Sequence, residues 1–166
     1  MTKLKCRVLM VSKKFLQGHP RAGEPTNFKE MILKGQKIHT ARPGKKWKQY
    51  ADEINRGEAY LSLREWTGKP YNSKQFEFAR CYKLGVEKFW PAVDFNVMDM
   101  GEFSENDGLT VSEMKNWFPV DFSGYIIHFT NMLYGIDLGI PQEKTESFIE
   151  VMPLLKPPKH PHCKNL

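Results

Sequence analysis

Apolar and polar side chains alternate near the start of the chain. From Lys5 to Ser12 two registers interleave, Cys6, Val8 and Met10 against Lys5, Arg7 and Leu9, which predicts a short strand with a partly buried second face. The alternation stops at GHPRAGEPT, Gly18 to Thr26, where two Pro and two Gly in nine residues predict a loop with His19 and Arg21 exposed or lining a site. Helical spacing follows. Phe28, Met31, Ile32 and Gly35 fall at i, i+3, i+4 and i+7, with Thr26 placed to cap the helix and Gly35 to close it in the left-handed conformation. Trp47, Tyr50, Ala51 and Ile54 predict a second helix over Trp47 to Arg56, stopped by Gly57.

Period-two patterning returns at YLSLREW, Tyr60 to Trp66. Tyr60, Ser62, Arg64 and Trp66 face one way, and Leu61, Leu63 and Glu65 the other, more apolar way. A carboxylate on that face needs a cation or a hydrogen-bond donor, because unpaired burial is costly. Lys37 and Arg42 are candidates; the alternative is that the strand is ending and Glu65 is exposed. WTGKPYNSKQ, Trp66 to Gln75, interleaves aromatic and basic residues and suits either a stacked base or a plain hairpin loop. Phe76, Phe78, Tyr82, Leu84 and Val86, set against Glu77, Cys81, Lys83 and Glu87, predict one long strand with a buried face. Phe89 to Phe103 is irregular, with a further strand expected around Ala92 to Val97. Thr110 followed by Glu113 predicts a capping box, and Ser147 to Val151 a last strand.

These elements describe a single mixed α/β (α+β) domain over residues 1–150. Residues 151–166 read as a basic, flexible Pro/His/Lys-rich tail, since KPPKHPHCKNL offers no apolar face with which to build a core. His160, His162 and Cys163 lack a rigid second pair of ligands, so no metal and no cofactor are expected. The chain of 166 residues is long enough for a real core, and no apolar run approaches the roughly 20 residues that span a bilayer. No membrane partner is therefore expected. Three widely spaced cysteines suit reduced thiols and a cytoplasmic location better than a disulfide framework.

Charge changes the picture more than composition does. Residues 1–50 hold 13 Lys and Arg against Glu24 and Glu30, a net of +11, whereas residues 51–110 carry a net of −4. A cationic segment of this kind attracts phosphates and releases counterions on binding, unless it is only a solvated face that keeps the protein soluble. The most distinctive chemistry falls inside that segment. GQKIHTAR, Gly35 to Arg42, places Lys37, His39, Thr40 and Arg42 at fixed offsets straight after a helix stop. No Gly-rich phosphate loop, nucleophile elbow or HExxH motif accompanies it.

The pattern GxKxxTxR after a short helix resembles the signature of the ASCH domain (ASC-1 homology) family, whose members have a small PUA-like β-barrel. YLSLREW, GLTVSEMKNWF (Gly108 to Phe118) and YIIHF (Tyr125 to Phe129) are similar in order to the family's later strand, helix and closing strand, so the likeness spans about residues 26–130. The resemblance implies helices packed at the barrel rim and a polar pocket at the turn that binds nucleic acid, with RNA or another single strand as the first expectation. Ligand-binding residues would be Lys37, Thr40, Arg42, Glu65 and Arg21. ASCH-type amidases that deacylate N4-acetylcytidine imply the alternative: an amidohydrolase acting on a modified nucleoside, with Lys37, Thr40 and Asp107 as its catalytic set. The family carries Glu where this chain has Asp107, which leaves Glu105 as a second candidate acid. A desolvated Lys as base, a Thr hydroxyl as nucleophile and a carboxyl as proton donor make chemical sense at an amide. Arg42 could hold the substrate or the developing oxyanion. The same side chains also suit recognition without turnover.

Overall fold

A computed structural model describes residues 2–137 and 139–153. In chain order the elements are β1 (Lys5–Met10), α1 (Phe28–Leu33), β2 (His39–Pro43), α2 (Lys46–Asn55), β3 (Ala59–Trp66) and β4 (Gln75–Cys81). They continue as β5 (Gly85–Phe89), α3 (Pro91–Asp94), α4 (Met100–Asn106), α5 (Val111–Met114), β6 (Gly124–His128) and β7 (Ile149–Val151). No helix among the described residues is long and apolar enough to cross a membrane.

The seven strands form two sheets, ordered β1-β3-β4-β7 and β2-β6-β5, which do not close into one hydrogen-bonded barrel among the described residues. Only β1 runs parallel to its neighbour; every other pairing is antiparallel. β3 is central in its sheet, and Leu61, Ser62 and Leu63 are all fully buried, so both of its faces are covered. Leu9, Leu61, Leu63 and Ala79 from one sheet meet Ala41, Ile126 and Ile127 from the other in a single core, joined by Phe28 and Ile32 of α1 and Ile54 of α2. Burying a side chain of this size contributes about 1.5–3 kcal/mol, which is why the apolar stripes select these elements.

Several expectations need correction. The stretch expected as one long strand is two, β4 and β5, in different sheets. The crossover is pinned by Asn55 at the end of α2, whose side chain accepts from the Leu84 N–H at 2.9 Å and donates to the Leu84 carbonyl at 2.8 Å. The expected strand around Ala92 to Val97 is instead the short helix α3, opened by Pro91, and α4 follows it with Asp99 accepting from the Gly101 and Glu102 amides. Thr26 stands one residue before the N-cap of α1, and its hydroxyl accepts from the Phe28 amide only at 3.4 Å. The same hydroxyl donates to the Ser12 carbonyl at 2.6 Å, and Asn27 precedes the helix with φ at 58°. Glu65 is buried and pairs with Lys29 at 2.8 Å, not with Lys37 or Arg42. His19 is a packing residue, stacked on Phe15 at 4.7 Å and bonded to the Glu113 carbonyl at 3.1 Å.

Other expectations hold in detail. α2 occupies the predicted span, Gly35 and Gly57 both take positive φ after their helices, and α5 carries the Thr110–Glu113 capping box. β7 carries the first sheet to Val151, paired with Ala79. The rest of the tail, from residue 154 on, lies outside the described residues, as do His160, His162 and Cys163.

Candidate functional site

The turn after α1 is stitched to two other elements. The Gln36 and Lys37 amides both donate to the Met31 carbonyl, at 2.8 and 3.1 Å, which folds the chain back over the end of α1. Ile38 then donates to the Asn106 carbonyl at 2.9 Å and accepts from the Phe129 amide at 2.8 Å. The turn is thereby clamped between the end of α4 and the end of β6.

This clamp brings Lys37 to Asp107, 70 residues on. The Lys37 Nζ donates to Asp107 Oδ1 at 2.7 Å and to its carbonyl at 2.6 Å, and lies 4.3 Å from the centroid of the Phe28 ring. A carboxylate at a helix C-terminus opposes the helix dipole, and a cation there favours it, so Lys37 neutralises two unfavourable features at once. Gly108, in the left-handed conformation, packs on this pair: a Cβ there would come within 2.8 Å of Met31 Sδ and 3.4 Å of Lys37 Cβ. Burial pushes the Lys37 ammonium below its ordinary pKa against the opposing pull of Asp107. For Asp107, burial pushes upward, but Lys37 and His39 outweigh it and hold the carboxyl below its ordinary value.

His39 extends the cluster. Its ring is fully buried, with Nε2 at 2.7 Å from the Tyr134 hydroxyl and Nδ1 at 3.3 Å from Asp107 Oδ1. The latter contact does not have hydrogen-bond geometry, and both His39 Nδ1 and Asp107 Oδ2 lack a partner. Burial pushes the imidazole down to about 4, leaving it neutral at pH 7. Asn106 Nδ2 donates to the same Tyr134 hydroxyl at 3.0 Å. Tyr134 therefore links the second sheet's core to the end of α4.

Thr40 and Arg42 form a separate pair. One guanidinium nitrogen of Arg42 donates to Thr40 Oγ1 and the Ala41 carbonyl, each at 3.0 Å, and the other to the Met10 carbonyl at 2.8 Å. Arg42 thus ties β2 to the end of β1 across the two sheets. Lys37 makes its hydrogen bonds to Asp107 and none to Thr40 among the described residues.

Outside this sealed cluster lies an open cavity of about 670 Å³. Its wall includes Phe15, Met31, Ile38 and Leu109 as apolar surface, with Asn27, Gln36 and Asn106 as neutral polar groups. Arg21, Lys144, Glu105 and Glu113 bring charge to it. Its size is ordinary for a small-ligand site. Arg21 lies over the Phe15 ring and bonds both Glu24 and Glu113, while Lys144 donates to the Gly35 carbonyl at 3.2 Å. A second cavity of about 230 Å³ shares Pro25, Thr26 and Asn27 with the first and adds Lys13, Lys29 and Glu65.

Comparison with protein-family models, curated proteins and solved structures finds no match. The site is therefore read from its own geometry.

The residues expected from the sequence divide into four places. Lys37 and Asp107 meet beneath the main cavity, Thr40 and Arg42 meet between the sheets, and Arg21 and Glu105 stand on the cavity wall. Glu65 lies apart, in the smaller cavity. Sequence reasoning missed Asn27, Asn106 and Tyr134. Asn27 had a local signal, its place just before the first helical residue; Asn106 and Tyr134 are brought in by contacts spanning dozens of residues. Among the described residues no group of three or more His, Cys, Asp or Glu is placed to hold a metal ion.

Proposed function

We propose that this chain is an ASCH-type, PUA-like domain that binds single-stranded RNA by taking an unpaired base into the cavity beside the GQKIHTAR turn. The two sheets would correspond to the halves of a PUA-like barrel, with α1, α4 and α5 at its rim. One observation carries the binding reading. The polar groups that line the cavity at the turn are Asn27, Gln36, Asn106, Arg21 and Lys144, and the Asn27 and Gln36 side chains make no hydrogen bond among the described residues, whereas Lys37, Thr40 and Asp107 are each at most 5% exposed and already bonded. Neutral amides over an apolar wall suit the edge and face of a base, and cations at the rim suit its phosphates.

The test is binding of a short oligoribonucleotide by the intact protein at rising salt. Affinity is expected to fall steeply between about 50 and 200 mM salt, and Lys144→Gln to lower both the affinity and its salt dependence. Rim substitution is the informative one, since replacing Lys37 would disturb the fold. No binding at the lower salt would end this reading.

The second reading, hydrolysis of an N4-acylated cytosine, is favoured by one fact: burial lowers the Lys37 pKa, as a general base at neutral pH requires. It needs the Lys37–Asp107 pair to open and Lys37 to reach Thr40. Absorbance-monitored release of the acyl group from N4-acetylcytidine, lost in Thr40→Val while folding persists, would support it; an inert wild-type protein would remove it.

A further inference from the structure

At the opposite end of β2 lies a cavity of about 590 Å³ that shares no wall residue with the one at the turn. The five residues of β2 separate the two ends by about 13 Å at the usual strand rise. Gly44, Lys45, Lys88, Trp90, Ser123 and Tyr125 contribute to its lining. Sheet geometry explains the convergence. Lys88 and Tyr125 are direct cross-strand partners in β5 and β6, so they share a face, and Trp90 follows Lys88 by two in extended conformation on that same face.

Trp90 is 53% exposed, unusual for the largest apolar side chain, and its backbone is held by its amide donating to Asp94 Oδ2 at 2.6 Å. Neither Lys45 nor Lys88 forms an ion pair among the described residues, although Lys5, Arg7, Arg21, Lys29, Lys37 and Lys48 of the cationic N-terminal segment do. Asp94, engaged by the Trp90 amide, is the carboxylate in the lining, and Asp137 accepts from the Lys88 amide at 3.3 Å, so both acids are bonded to backbone and neither ammonium is paired among the described residues. Gly124 keeps the sheet end tightly closed: a Cβ there would lie 2.1 Å from the Arg42 carbonyl oxygen.

From this arrangement we propose that the cavity is a second nucleotide site, in which Trp90 and Tyr125 stack a base and Lys45 and Lys88 bind its phosphate. An exposed Trp and a half-buried Tyr beside unpaired cations are a combination that holds unpaired nucleotides without sequence preference. The inference rests on the RNA-binding reading and extends it: one strand would contact both ends of β2. A free mononucleotide presents the same chemistry, and the experiment separates the two sources.

The experiment is an amide and indole NMR titration of the full chain with adenosine monophosphate and, separately, with a short single-stranded oligoribonucleotide. With the oligoribonucleotide, the Trp90 indole and the Gly124 and Tyr125 amides are expected to shift. Trp90→Ala is expected to weaken oligoribonucleotide binding roughly 5- to 100-fold. Lys45→Gln with Lys88→Gln is expected to flatten the slope of log affinity against log salt by about 1.4, the value for two phosphate contacts on a single strand. Oligoribonucleotide binding with these three signals unmoved would overturn the second site and leave the RNA reading intact. Shifts with the mononucleotide but no oligoribonucleotide binding would keep the site and overturn the RNA reading. No response to either ligand would overturn both.

Discussion

Two buried acids in this protein are treated in opposite ways. Glu87 is saturated: one oxygen accepts from His128 Nε2 at 2.8 Å and the Tyr134 amide at 2.9 Å, and the other from the Gly135 and Ile136 amides at 2.7 and 3.1 Å. Asp107 uses one oxygen for Lys37 and leaves Oδ2 without a partner, beside a neutral His39 whose Nδ1 is also unpaired. Glu87 gathers three successive amides of the Tyr134–Ile136 loop onto β5, which is a scaffold's task. Spare capacity in a buried polar group costs stability, so the two acids differ in what they contribute to the fold.

The sharpest way to break that contrast is to remove the ammonium. Lys37→Met leaves a buried carboxylate uncompensated and is expected to cost about 3–5 kcal/mol in denaturant unfolding. Lys37→Met with Asp107→Leu, which removes both charges, is expected to regain most of that loss. A single variant as stable as the wild type would mean that the pair is not buried as described.

A pH series sharpens the contrast next. His39 titrates at about 4 in the folded protein against an ordinary 6.5, so the unfolded chain takes up the proton first. Its contribution to stability is complete above about pH 6.5 and is lost as pH falls toward 4, a loss of about 3 kcal/mol for the full shift. Asp107 and Glu87, both held below the ordinary carboxylate range, lose their contributions only further into acid. Unfolding free energies between pH 7 and 4 should therefore decline in the wild type and decline less in His39→Phe; equal slopes would show that His39 is not the group responsible.

Glu87→Gln comes third. The amide keeps one acceptor but cannot serve four donors, and about 2 kcal/mol should be lost, with faster hydrogen exchange at Tyr134, Gly135 and Ile136. Unchanged protection at those amides would show that the loop is held by other contacts.

Legibility from sequence followed the range of the interactions. α2, β3 and the Thr110–Glu113 box were readable because periodicity, Gly57 and the box lie within one element. The break between β4 and β5 was missed although Gly85, the first residue of β5, interrupts the alternation, because the turn itself is held by Asn55, some 29 residues away. Glu65 was correctly placed on the more apolar face, but alternation could not reveal that its partner is Lys29. The Lys37 and Asp107 positions came from the family resemblance, and the structure adds that they meet as a sealed ion pair. Tyr134 left no trace in the sequence, because what matters is its meeting with His39 and Asn106.

The smallest expected effect tests spare capacity at the cavity itself. Asn27 takes a left-handed backbone conformation, its side chain caps nothing, and it stands on the wall shared by both cavities at the turn. A structural role would make Gly a poor replacement only if the side chain made contacts that the fold needs. Glycine adopts this conformation without steric cost but loses more chain entropy on folding, so Asn27→Gly is expected to change stability by no more than about 1 kcal/mol in either direction. Binding should respond differently: losing an amide that reads a base edge is expected to weaken oligoribonucleotide affinity severalfold, with the salt slope unchanged because no phosphate contact is lost. A large stability loss with unaltered affinity would place Asn27 with Glu87 among the scaffold residues and erase the contrast at that wall.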